Sequence, residues 1–203
     1  MKYKLDLAPK ASLNVFPITG SLITPAQAFV AWQPSTWPAT PAAVNEDFIN
    51  TLKRIFEESI LGEISNVLTD AQKANGGLDN RGHVLAISMM CALDAIASYG
   101  HRRHHFADFI SAHFPGEYSK HAGAFYKLYR NSLVHSWNLF GASIYPDGST
   151  VREEGGTLAF GLLNFFDALK AGVEEFLETL ATDATLQKNT LARYEELRVS
   201  ARP

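Results

Sequence analysis

The chain of 203 residues has a single cysteine, Cys91. One thiol excludes an intrachain disulfide framework and any zinc cluster built on cysteines. Long hydrophobic runs are missing as well: no stretch approaches the roughly 18 uninterrupted apolar residues that mark a membrane span. The start, Met1 to Asp6, carries charge but is not followed by an apolar run long enough for a signal peptide. No membrane association and a reducing cytoplasm are therefore expected. Positive charge is not in excess either. Eighteen Lys and Arg against 21 Asp and Glu leave −3, which excludes a basic nucleic-acid coat. What is present is a core-forming composition, 46% apolar and 19% charged, at a length suited to one domain.

Charge is absent altogether from Ala11 to Asn45, and six of the nine prolines (Pro9, Pro17, Pro25, Pro34, Pro38, Pro41) fall in residues 1–44. Proline blocks helix interiors, so this region reads as an extended, uncharged N-terminal arm. Short alternations at Lys4–Leu7 and Leu13–Phe16 fit strands. An uncharged segment bearing Phe29, Trp32 and Trp37 is poorly soluble when free, so it packs either on its own domain or on a partner.

Residues 45–203 read as a helical bundle. Asn45 can cap a helix of roughly 30 residues, with Phe48, Leu52, Phe56, Ile60, Ile64 and Leu68 at helical spacing, ended by Gly76-Gly77. Residues 83–99 are apolar nearly all round, which places that helix centrally, and their one carboxylate is Asp94. A lone carboxylate there is either on a polar seam or part of a site. Further helices are predicted at Phe106–Phe114, from Tyr118 to about Trp137, at Leu162–Leu180 and over 184–199. Between about 140 and 160 the pattern changes. Ala142–Tyr145 and Thr150–Arg152, joined through Pro146-Asp-Gly, look like a β-hairpin, with another short strand at Thr157–Phe160. The expectation is a mainly all-α fold of about five to six helices with a small β insertion.

Six of the seven histidines lie between positions 101 and 135: His101, His104, His105, His113, His121 and His135. The same window holds Arg102, Arg103, Lys120, Lys127 and Arg130 against Asp108 and Glu117, five minus two, or +3. Positive charge gathered in one segment suits an anionic ligand such as a phosphate backbone, although solvated helix ends look the same in sequence. His101, His104 and His105 have ligand-compatible spacing, but Arg102 and Arg103 oppose a dication and no carboxylate stands among them. No metal and no cofactor is expected.

The most chemical cluster is Tyr129-Arg130-Asn131-Ser132-Leu133-Val134-His135. Arg130 and His135 are about 140° apart on an ideal helix, within the swing of a long arginine, and Asn131 shares a face with His135. A forked cation for phosphate oxygens, an imidazole for proton transfer and an amide to orient it suffice for metal-free RNA cleavage through the ribose 2′-hydroxyl. By spacing alone a structural capping role is the commoner meaning of an Arg and a His five apart.

Arg130-Asn131 followed by His135, late in a bundle helix, resembles the R-x4-6-H motif of HEPN domains. Leu85–Ile96 with Asp94 is similar to the preceding bundle helix of that family. Phe106–Ile110, His113–Tyr118, Leu128–His135 and Leu163–Leu169 follow in a similar order, covering roughly residues 46–198. The resemblance implies a homodimeric helical bundle and a metal-independent endoribonuclease of a defence or toxin–antitoxin system, with RNA as substrate and an antitoxin as protein partner. Arg130 and His135 would be the catalytic pair and Asn131 its accessory. Asp94, Arg102, Arg103 and Lys127 are candidates for substrate contact. Some HEPN domains are non-catalytic binding or regulatory modules that act through a protein or a nucleotide, and that alternative stands beside the first.

Overall fold

Asn45 starts the first helix as its composition predicts: its Oδ1 accepts the Phe48 amide at 2.9 Å. In the computed structural model, helix α1 (Glu46–Lys53) runs without a break through a π-helical segment (Arg54–Leu61) into α2 (Gly62–Lys73). The structure describes residues 37–73, 78, 81–101, 105–136, 139, 142–146, 148, 150–154 and 156–200. The predicted strands of the arm, with Phe29 and Trp32, lie outside the described residues, as do Gly76-Gly77. The elements between Ala39 and Leu197 belong to one compact unit.

Helix α3 (Gly82–Gly100) is long and apolar enough to cross a membrane by length and composition alone, and half of its most apolar window is buried within the protein. Leu85, Met89, Leu93, Ile96 and Ala97 are fully buried. The opposite stripe is open, with Val84 48% exposed and Cys91 and Ala95 exposed. The helix is therefore a wall of the core, not an element surrounded on every side.

Helix α4 (His105–His113) ends before Pro115. The single helix expected from Tyr118 to Trp137 is interrupted by a turn at Lys120 and His121: α5 (Gly116–Ser119) stands before it, and α6 (Ala122–Ala124), a second π-helical segment (Phe125–Asn131) and α7 (Ser132–Ser136) run on without a break after it. Helix α8 (Leu162–Leu180) has the predicted bounds and buries Phe165, Leu169, Val173 and Phe176. Helix α9 (Ala184–Ser200) is capped by Asp183, whose Oδ1 accepts the Leu186 amide at 2.7 Å. Gly100 lets α3 meet α8 and α9: a Cβ there would stand 2.6 Å from Phe176 Cε2 and 2.7 Å from Leu186 Cδ1.

The β insertion is present, but its topology corrects the expected hairpin. Strands β1 (Ala142–Tyr145), β2 (Arg152–Glu154) and β3 (Thr157–Gly161) stand in the order β1-β3-β2. β1 and β2 do not pair. β1 runs parallel to β3, with Ala142 opposite Leu158, and the hairpin is β2–β3. Gly156 at φ 80° supplies the left-handed residue of its turn. β3 takes the centre because its Leu158, Ala159 and Phe160 are the buried apolar run. Tyr129 ties the sheet to the bundle, its hydroxyl 3.0 Å from the Ser143 carbonyl and 2.5 Å from that of Leu158. The result is a mainly all-α bundle with a three-stranded insertion.

Candidate active site

Arg130 stands near the end of the π-helical segment Phe125–Asn131, and His135 follows in the α-helical α7. On a regular α-helix two residues five apart diverge by about 140°. From Ser132 to His135 the backbone is α-helical, so the reach of the long arginine side chain closes that angle. Arg130 Nη1 comes within 3.5 Å of His135 Nε2, the outer limit of hydrogen bonding. His135 is exposed.

Asp94, from the middle of α3, is the hub. Its Oδ2 accepts from Arg130 Nη2 at 2.8 Å, and its Oδ1 accepts from His105 Nε2 at 2.9 Å. A carboxylate only accepts, so His105 carries its proton on Nε2. The side chains of Asp94, Arg130 and His105 are 21%, 25% and 33% exposed, so the cluster is neither free in solvent nor sealed in the core. The hydrogen bond to Asp94 is the main cause that raises the Arg130 pKa beyond its already high value. Asn131 Oδ1 accepts from Arg130 Nη1 at 3.1 Å. Asn131 thus holds the arginine; among the described residues it makes no hydrogen bond to His135. The Arg130 guanidinium also lies 5.7 Å from the centroid of the Tyr126 ring.

The structure therefore brings Asp94, Arg130, Asn131 and His135 together. Lys127 is exposed on the same π-helical segment, and no hydrogen bond or ion pair joins its side chain to the cluster among the described residues. Arg102 and Arg103 lie outside the described residues, as does His104. His101 and His105, which the spacing offered as joint metal ligands, go separate ways. His105 turns to Asp94. His101 lies edge-on to Phe109, at 6.3 Å between centroids, with its Nε2 buried and without a partner. Among the described residues no three His, Cys, Asp or Glu side chains group as metal ligands.

Two residues of the cluster were not assigned to it from sequence. His105 stands eleven positions from Asp94, across the junction of two helices, a separation with no periodic signature. Tyr126 is four positions before Arg130, a helical neighbour that the aromatic content alone does not single out. His105 also walls two cavities. One, of about 480 Å3, contains Ser98, His101, Asn189 and Arg193. The other, of about 400 Å3, contains Phe106, Asp108 and Tyr126. In the larger, Arg193 is already held by Ser98 Oγ at 3.3 Å and by Glu196 at 2.9 Å.

No family model, curated protein or solved structure matches the chain. The chemistry rests on the geometry. A fixed guanidinium can bind a phosphate oxygen, and an exposed imidazole beside it can take or give a proton. A carboxylate, an amide and an aromatic ring hold the guanidinium in place. The thiol of Cys91 is close enough to interact with Arg130 and Asp94, but desolvation raises its pKa, which leaves it a weak nucleophile and favours a nucleophile from the substrate.

Proposed function

We propose that this protein is a HEPN-like, metal-independent endoribonuclease, active as a cytoplasmic homodimer within a defence or toxin–antitoxin system. One observation carries the reading: Arg130, paired with Asp94, comes within 3.5 Å of the exposed His135 imidazole on the surface of a helical bundle. Arg130 binds the scissile phosphate and stabilises the charge that builds on it. A phosphate seated there displaces the weak Arg130–His135 contact and frees the imidazole. His135 accepts the proton of the ribose 2′-hydroxyl. The 2′-oxygen bonds to phosphorus as the bond to the 5′-oxygen breaks, and the 5′-oxygen takes a proton from solvent water, leaving a 2′,3′-cyclic phosphate and a 5′-hydroxyl. Asn131 and Asp94 fix the guanidinium. The exposed stripe of α3 flanking Asp94, with Val84, Cys91 and Ala95, supports a subunit contact beside the cluster.

The test is cleavage of single-stranded RNA with EDTA present, by the wild type and by Arg130→Ala and His135→Ala, with the product ends identified. Cleavage to cyclic phosphate ends, lost in both variants, is the expected result. No cleavage by the wild type, or unchanged cleavage in both variants, refutes it. Light scattering tests the dimer.

A second reading is favoured by the Asp94–Arg130 ion pair itself. A guanidinium already matched to a carboxylate serves equally as a tie between α3 and the π-helical segment, in a non-catalytic binding or regulatory module. There, Arg130→Ala lowers stability and the wild type cleaves nothing.

A further inference from the structure

The cavity of about 400 Å3 that Tyr126 separates from Arg130 falls in the size range of small-ligand sites. Its inner wall is apolar, with Phe106 buried and Ala107 half-buried. Tyr126 forms another wall. It is 38% exposed, rests on the Phe106 ring at 5.7 Å between centroids, and touches the Arg130 guanidinium with its ring. An exposed aromatic next to a phosphate-binding cation is the pairing by which proteins hold single-stranded RNA, base on ring and backbone on cation. Gly123 keeps the wall low: a Cβ built there meets nothing within 4 Å.

Besides Tyr126, two titratable side chains face this space: His105, already held by Asp94, and Asp108. Asp108 is exposed and, beyond a charge interaction with His101, has no hydrogen bond or ion pair among the described residues. Its place in the first turn of α4 suits the helix dipole, which accounts for an acid there but not for the cavity beside it. A carboxylate accepts two hydrogen bonds side by side. Among the four RNA bases, guanine alone offers two adjacent donors on its Watson–Crick edge, N1–H and the N2 amino group. Adenine and cytosine offer an amino group next to a bare ring nitrogen, and the N3–H of uracil lies between two carbonyls. Asp108 would repel each of those acceptors.

We propose that this cavity is a guanine-binding subsite, in which Tyr126 stacks on the base and Asp108 accepts from N1–H and N2–H while the adjoining phosphate sits on Arg130. The proposal rests on the ribonuclease reading for the role of that phosphate, and names the nucleotide at its site.

The experiment titrates the full-length protein with 3′-GMP, 3′-AMP, 3′-CMP and 3′-UMP by calorimetry, alongside the cleavage assay above. 3′-GMP is expected to bind about tenfold or more tighter than the other three, since a bidentate pair discriminates at that level. Asp108→Asn should remove that preference and leave 3′-AMP binding in place. Tyr126→Ala should weaken all four nucleotides, and Tyr126→Phe should retain them. Gly123→Leu, at a helical position with open space, should block binding while the melting temperature holds. Equal affinities, 3′-GMP binding indifferent to Asp108→Asn and Gly123→Leu, or no detectable binding of any nucleotide at millimolar concentration would each overturn it. The two readings fail separately. Arg130-dependent cleavage without base preference removes the guanine subsite and keeps the ribonuclease. Guanine-selective binding by a protein that cleaves nothing keeps the subsite and removes the ribonuclease.

Discussion

Lowering the pH should weaken this fold through one buried imidazole. His113 ends α4 and is 6% exposed, packed among Phe109, Phe176 and His101 at centroid distances of 4.8, 5.7 and 6.0 Å. Its Nδ1 is buried without a hydrogen-bond partner. Burial, with a smaller contribution from His101, pushes its pKa down to about 4 from an ordinary 6.5. Between those two values the unfolded chain binds the proton and the folded chain does not. Stability therefore falls as pH drops through this window, is unaffected above it, and levels off below about 4. The full effect is about 3 kcal/mol, and by pH 5 about 2 kcal/mol is already lost. Urea denaturation of the wild type and of His113→Leu at pH 7.5, 6 and 5 measures it, since other titrating groups act alike in both. The variant should gain about 2 kcal/mol on the wild type between pH 7.5 and 5. Parallel pH dependences would show that the folded protein accepts the proton at His113 without cost, and the reasoning would fail.

The other stability predictions follow from named contacts. Gly100→Ala should lower stability by about 1–2 kcal/mol in chemical denaturation, because the buried Phe176 ring cannot give way to a new Cβ; Gly123→Ala, with open space at Cβ, should be neutral or slightly stabilising. Asp94→Ala strips Arg130 and His105 of their shared acceptor. It should cost about 1–2 kcal/mol, between the values of exposed and fully buried pairs, and should also abolish the Arg130-dependent cleavage proposed above.

How much of this was legible in the sequence depended on whether the signal was local. The apolar stripe of Leu162–Leu180 marked α8 to the residue, and the Asn45 cap marked the start of α1. The strands were visible as alternating segments, but their pairing was not. Which neighbour β1 takes is decided by the buried run of β3 and by the Tyr129 hydroxyl reaching both strands, contacts that local alternation does not encode. The helix expected after Tyr118 is interrupted at Lys120 and His121 and takes up i to i+5 bonding over Phe125–Asn131, a pattern with no residue signature. Arg130, Asn131 and His135 were close in sequence and are close in space. The Asp94–His105 pair joins two helices, and the ligand-compatible spacing of His105 with His101 carries no sign of the carboxylate eleven positions away.

An acidic protein with a candidate phosphate site calls for a particular kind of affinity. The charge of Arg130 is matched by Asp94 at 2.8 Å, and the protein as a whole stands at −3. Attraction to RNA from net charge is therefore small, and binding must come from oriented donors and base stacking at a confined place. Salt separates these sources. Each phosphate neutralised on a single strand contributes about −0.7 to the slope of log K against log salt. Arg130, with exposed Lys127 three positions before it, supplies one or two such contacts, so the slope for a short RNA should lie between about −0.7 and −1.4 per site. Fluorescence anisotropy at several salt concentrations, with a catalytically silent His135→Ala protein so that the RNA stays intact, gives the value. A slope steeper than about −3 would mean that RNA lies along a broad basic track, and the affinity would not belong to the Asp94–Arg130–His135 cluster.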